Sequence, residues 1–201
     1  MSKKVKKGAV APMSPRKVIE QRMRSVEIGK CYINKNDEEG MHIVMVVRNH
    51  KGGTYSVGCY LLDVFCTGVK NTYFLFNISE EDLNDVVERF EGEEISYEEA
   101  HNWVYGAVEF AQEAGIEPHS EYKITQYFLE EDSDDIPLIE YEYGKDGKHF
   151  LVADNCLELS KYVPLLERNL GEGNFDYVLA VDDEEDECEE CDDVDEVGAE
   201  E

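Results

Sequence analysis

The sequence predicts an α+β domain with a mainly antiparallel sheet, its strands arranged as hairpins and helices packed on one face. Three observations predict it. Apolar runs with strand patterning come early and in succession, from "KCYIN" through "MHIVMVVRN" and "TYSVGCYLLDVFC" to "TYFLFN". Two helices with strong start signals follow. A second strand, turn and strand pattern, "IPLIEYEYGKDGKHFLVA", then precedes a last helix and a closing strand, an order that separates hairpins from helices.

Taken in order, "SPRKVIEQRMRSV" predicts a short helix with Pro15 in its first turn, where a missing N–H costs nothing. "HKGG" joins the second and third strands, and the run from Tyr60 to Phe65 is apolar on both faces, which places that strand in the middle of the sheet. Ser79 starts a helix whose Leu83, Val86, Val87 and Phe90 recur at helical spacing, with Ile78 and Leu83 placed as a hydrophobic staple. Ser96 and Glu99 form a capping box for the next helix, whose apolar side runs through Ala100, Trp103, Val104, Ala107, Ala111 and Ala114 before Gly115 stops it. "EYKITQYFLEE" reads as a short helix. In "IPLIEYEYGKDGKHFLVA" Ile139, Tyr141 and Tyr143 share a strand face and "KDGK" makes the turn. "SKYVPLLERNLGEGNFDYVLA" gives a helix with Pro164 confined to its first turn and Gly171 at its end, then the closing strand.

Both ends differ from this body. Residues 1–17 hold six Lys or Arg and no acid, whereas residues 181–201 hold fourteen Asp or Glu and no base, so of the net charge of −28 about −20 belongs to residues 18–180. The expected organisation is a basic disordered arm (1–17), one globular domain (18–180) and an acidic disordered tail (181–201). A body of this size buries roughly 70% of the surface its unfolded chain exposes, enough for an ordinary core. So acidic a body is a poor ligand for DNA or RNA, which are held by neutralising phosphates, and only the arm suits nucleic acid. Neither a secretory leader nor an apolar run long enough to cross a bilayer is present, so the expectation is a cytoplasmic protein with no membrane contact and a basic protein partner.

The blocks "KCYIN", "YLLDVFCTGVKNTYFLFNISEE", "AHNWVYGAVEFAQEAGIEPHSEYKITQYFLEEDSDDIPLIEYEYGKDGK" and "GEGNFDY" resemble, in that order over residues 12–180, an uncharacterised bacterial family found mainly in Bacteroidetes. The resemblance implies no activity, substrate or cofactor, since none is established for the family. Some of its members end in a compact zinc-binding Cys motif. This chain ends instead in "DDEEDECEECDDVDE", so no metal function carries over.

Candidate sites follow from chemistry. Cys66 stands just before Gly68 at the end of the middle strand, where a nucleophile can be presented, and His101 lies on the capped helix as a possible base. With Asp63 they make a hydrolase-like alternative to the interaction protein, although Cys is also a common buried hydrophobe and a core histidine the plainer reading of His101. Asp63 is costly to bury unpaired, so Lys70, Arg48 or amides of the glycine turn are its expected partners. Asp63, Lys70, Asn71 and His101 form a candidate ligand-binding cluster. "EEDSDD" lacks the glycine and terminal Glu of a calcium loop and reads as a solvated connection. No cofactor is expected. Cys31, Cys59, Cys66 and Cys156 are isolated and read as reduced thiols, while Cys188 and Cys191 form a single CxxC, half of a structural zinc site.

Overall fold

The structure, a computed structural model, describes residues 13–180. Four strands run up and down in chain order: β1 (Glu27–Asn36), β2 (Met41–Asn49), β3 (Tyr55–Asp63) and β4 (Gly68–Ile78). A three-residue strand, β5 (Glu93–Ile95), which the sequence pattern did not announce, pairs with β1 and completes the antiparallel order β4-β3-β2-β1-β5. The fold is therefore α+β with a mainly antiparallel sheet of hairpins, as expected. β3 is interior, between β2 and β4, and β2 occupies the centre.

Strand β2 shows why its apolar run is continuous. Val44 and Val46 face one side, where Ile19 and Met23 from the segment α1 (Pro15–Arg22) and its following turn, Ala100, Val104 and Ala107 of α3 (Tyr97–Glu113), and Ile124 of α4 (Tyr122–Thr125) form the main core. Met45 and Val47 face the other side and pack with Val57, Cys59 and Leu83 of α2 (Glu80–Arg89), so the reverse face of the sheet also carries a helix. Burying each such Val or Leu contributes about 1.5–3 kcal/mol. Ser79 and Ser96 cap α2 and α3 through full capping boxes, with Asp82 and Glu99 as the reciprocal partners.

Several expected boundaries move. Helix α1 begins at Pro15, so residues 15–17 belong to the ordered body rather than to the arm. β3 ends at Asp63, because residues 64–67 turn there. Residues 136–143 form no strand: Lys145 and Lys148 make the expected tight bridge, but the chain before it leaves the sheet, since Tyr141 and Tyr143 pack on α3 instead. The strand after it, β6 (His149–Ala153), pairs in parallel with β7 (Phe175–Leu179) across α5 (Cys156–Leu170). Helix α5 starts earlier than predicted, at an Asn155 cap whose side chain accepts from the Glu158 N–H, leaving Pro164 in the helix interior. Cys31, Cys59 and Cys66 are free and buried. Cys156 is disulfide-bonded, so the reduced-thiol expectation fails for it. Cys188, Cys191, the acidic tail and residues 1–12 lie outside the described residues.

Candidate functional site

Asp63 closes β3 with its carboxylate turned back onto the loop that follows. Its Oδ1 accepts from the backbone N–H groups of Phe65 (3.0 Å) and Cys66 (3.1 Å), and its Oδ2 from the N–H (2.9 Å) and hydroxyl (2.7 Å) of Thr67. The four donors explain how an acid only 7% exposed is accommodated, with Lys70 close enough to feel its charge. Gly68 leaves this turn at φ +68°, and a side chain there would strike the Ala107 carbonyl and the Ala111 methyl of α3. The loop is thereby locked against the second half of α3.

The other predicted candidates do not converge on Asp63. Cys66 is buried with Ala111, Ala114, Leu151 and Leu166, and burial, with Asp63 adding to it, holds its thiol far above the ordinary value. His101 lies in the first half of the same helix, six to ten residues from the positions the turn touches, or about 9–15 Å along the axis. The Cys66–His101 pair that a hydrolase needs is not assembled. Lys70 Nζ pairs with Asp154 (2.8 Å) and Glu158 (3.9 Å) and opens onto a cleft with Thr67, His119 and Lys161. Asn71 opens instead onto a small apolar pocket beside Phe90, on the face that α2 covers. Arg48 is fully buried and donates to the carbonyls of Phe128 and Val26 and to Glu130 Oε1 (2.8 Å), far from Asp63.

A second concave surface is built where the chain from Glu130 to Tyr143 crosses α3 as a strap. Its entry is fixed at Glu130, whose N–H donates to the Tyr97 hydroxyl (2.7 Å) and whose carbonyl accepts from the Tyr105 hydroxyl (3.1 Å). Asn102 pins the middle from both sides, donating from Nδ2 to the Pro137 carbonyl (3.0 Å) and accepting at Oδ1 from the Ile139 N–H (3.1 Å). The exit is held by rings. Tyr141 stacks on Trp103 at 3.8 Å, and the Tyr143 hydroxyl donates to the Asn102 and Trp103 carbonyls, both at 3.2 Å. Gly106 makes that approach possible, because a side chain there would run into the Tyr143 ring and hydroxyl. Burial raises the phenols of Tyr97 (to about 12), Tyr105 and Tyr143 above their usual range, which keeps all three neutral, Tyr97 as acceptor and Tyr105 and Tyr143 as donors. Beneath the strap, His101 stacks on Tyr105 at 4.3 Å, and burial lowers its imidazole pKa against the opposing pull of Asp132 and Glu130.

Beside the anchored strap lies a cleft of about 380 Å3. Its floor is Tyr105, Gly106, Glu109, Phe110 and Glu113 of α3, and its rims are Asp132 on one side and Leu138 to Tyr143 on the other. Four carboxylates line it, from Glu109, Glu113, Asp132 and Glu140, with no Lys, Arg or His. Leu138 stands 79% exposed at the rim. The Tyr141 hydroxyl, in the wall, is buried without a hydrogen-bond partner among the described residues. Among the described residues no group of three or more His, Cys, Asp or Glu is placed to hold a metal ion, and no helix is long and apolar enough to cross a membrane.

No family model matches the chain, and neither does any curated protein or solved structure. The functional reading thus stands on geometry alone. The cleft is not legible in the sequence, because the alternation of Ile139, Tyr141 and Tyr143 fits one face of a strand equally well. The available signals are Gly106 and Asn102 in the middle of a strong helix, one vacating space and the other presenting an amide to a second chain segment.

Proposed function

We propose that this chain is a cytoplasmic accessory protein that holds a basic protein partner in the cleft between α3 and the strap. The observation that carries the reading is the lining: four carboxylates, aromatic walls and no cation in a concavity wide enough for side chains. A Lys or Arg entering it meets opposite charge from both rims, and its methylene stem or guanidinium plane lies against Tyr105, Phe110 or Tyr143. Like charge excludes acidic chains from the same surface. The body's net charge steers basic chains towards it without selecting among them, so specificity belongs to the cleft.

Binding of fluorescein-labelled octalysine to the full chain, followed by anisotropy, tests this. Glu109→Gln/Glu113→Gln is expected to weaken binding by about tenfold, roughly 1.4 kcal/mol, since these exposed charges converge with Asp132 and Glu140 on one concavity. The control Glu81→Gln/Glu88→Gln removes the same charge from the exposed side of α2 and should change it less than twofold. Equal effects from the two double variants would reduce the interaction to general attraction by an acidic body and end the case for the cleft.

A further inference from the structure

Residues 1–12 carry Lys3, Lys4, Lys6 and Lys7 with Val5 and Val10 among them and no acid, a composition complementary to a cleft with four carboxylates and an exposed Leu138. The placement of α1 puts this segment within reach. Arg16, one turn from the root of the segment, pairs with Glu121 at 2.7 Å. At the other end of the same stretch Arg24 donates to the Leu129 carbonyl (2.9 Å) and bonds Glu131, the neighbour of Asp132 on the cleft rim. From Pro15 to Arg24 is about 14 Å at helical rise. Twelve extended residues span up to about 40 Å, so the lysines have ample length to pass along α1 and enter the cleft.

Resting on the reading of the cleft as a site for basic chains, we propose that residues 1–12 of this chain are its resident occupant, an internal competitor that a partner must displace. A tethered segment meets its site at an effective concentration in the millimolar range, so even weak pairing keeps the cleft filled for much of the time. A partner's apparent affinity then falls in proportion to the fraction of open cleft. The acidic tail also offers carboxylates to the arm. The cleft differs in holding Glu109 and Glu113 on α3 and Glu140 next to the pinned Ile139, with Leu138 as an apolar rim for Val5 or Val10, so less order is lost in forming each contact.

Amide resonances of the full chain and of the full-length Lys3→Gln/Lys4→Gln/Lys6→Gln/Lys7→Gln variant, each titrated with octalysine, decide the matter. The expected result is a difference between the two proteins, before any peptide is added, confined to Tyr105–Glu113 and Asp132–Tyr143. Octalysine should then move these resonances at a concentration at least about threefold lower in the variant, the factor for a cleft filled two-thirds of the time. Identical cleft resonances that octalysine nevertheless moves would overturn the internal occupant and leave the basic-partner reading intact. Cleft resonances that differ between the proteins but ignore octalysine would uphold the occupant and remove the partner reading. Differences confined to residues 181–201 would place the arm on the tail, and differences that vanish on dilution would place it in the cleft of a second copy. Either result overturns the proposal.

Discussion

At Asp63 one carboxylate organises a whole connection. With four donors on two oxygens, Asp63→Asn keeps the size of the side chain but turns one acceptor into a donor, leaving the Thr67 pair or the Phe65 and Cys66 amides unsatisfied. The expected loss is about 1–3 kcal/mol. Asp63→Leu abandons all four donors in a buried place and should cost more, about 3–5 kcal/mol, measured as a shift of the urea midpoint at unchanged slope. Equal losses from the two variants would show that the turn does not depend on hydrogen bonding to this side chain. That Asp63 needs partners was legible in the sequence, because a carboxylate inside an apolar run has to be satisfied somehow. Which partners was not, since backbone amides of the next four residues leave no mark in the residue types. Arg48 illustrates the same blindness at longer range: its acceptors lie on Val26 and Phe128, the second 80 positions away.

The strap and α3 form one unit in which each anchor is a different kind of contact. Substituting Gly106 by Ala tests the tightest of them, because the added methyl would occupy the place of the Tyr143 hydroxyl. Overpacking of this kind costs about 1–3 kcal/mol, and here it also frees the exit of the strap. We expect a lower melting temperature, altered near-ultraviolet dichroism from the Trp103–Tyr141 stack, and weaker octalysine binding. Unchanged dichroism and binding would mean that the strap is held without Tyr143. Elements with a local signature were readable: both capping boxes, the periodic apolar sides of α2 and α3, and the first four strands. Those decided by distant partners were not. β5 is three residues long and exists through β1, while the "KDGK" turn makes its tight bridge and yet its arms part, because the tyrosines before it gain more contact on α3 than a two-stranded ribbon offers. Helix α5 absorbs Pro164 although a proline usually ends a helix, and the Asn155 cap, not the proline, marks its start.

Over the whole molecule, charge and connectivity divide the labour. Acidity is spread through the body and lines the cleft without a cation, while residues 1–17 are the one stretch with six Lys or Arg and no acid. Connectivity is just as uneven. The strands β1 to β4 each lie beside their neighbour in sequence, joined by short loops, whereas β6 and β7 are parallel and meet only after α5 has carried the chain back. Pairings between chain neighbours close small loops and form early; a parallel pair must wait for its crossover. The C-terminal unit should therefore be the last to assemble and the first to open. Under native conditions, amide hydrogens of Leu151 and Tyr177 are expected to exchange through a partial opening of lower free energy than the one that exposes Val44 and Tyr60. Exchange of all four at a single energy would mean that both sheets melt together. If they separate, the segment that carries the acidic tail can detach and reclose while the main sheet, and with it the cleft on α3, stays folded.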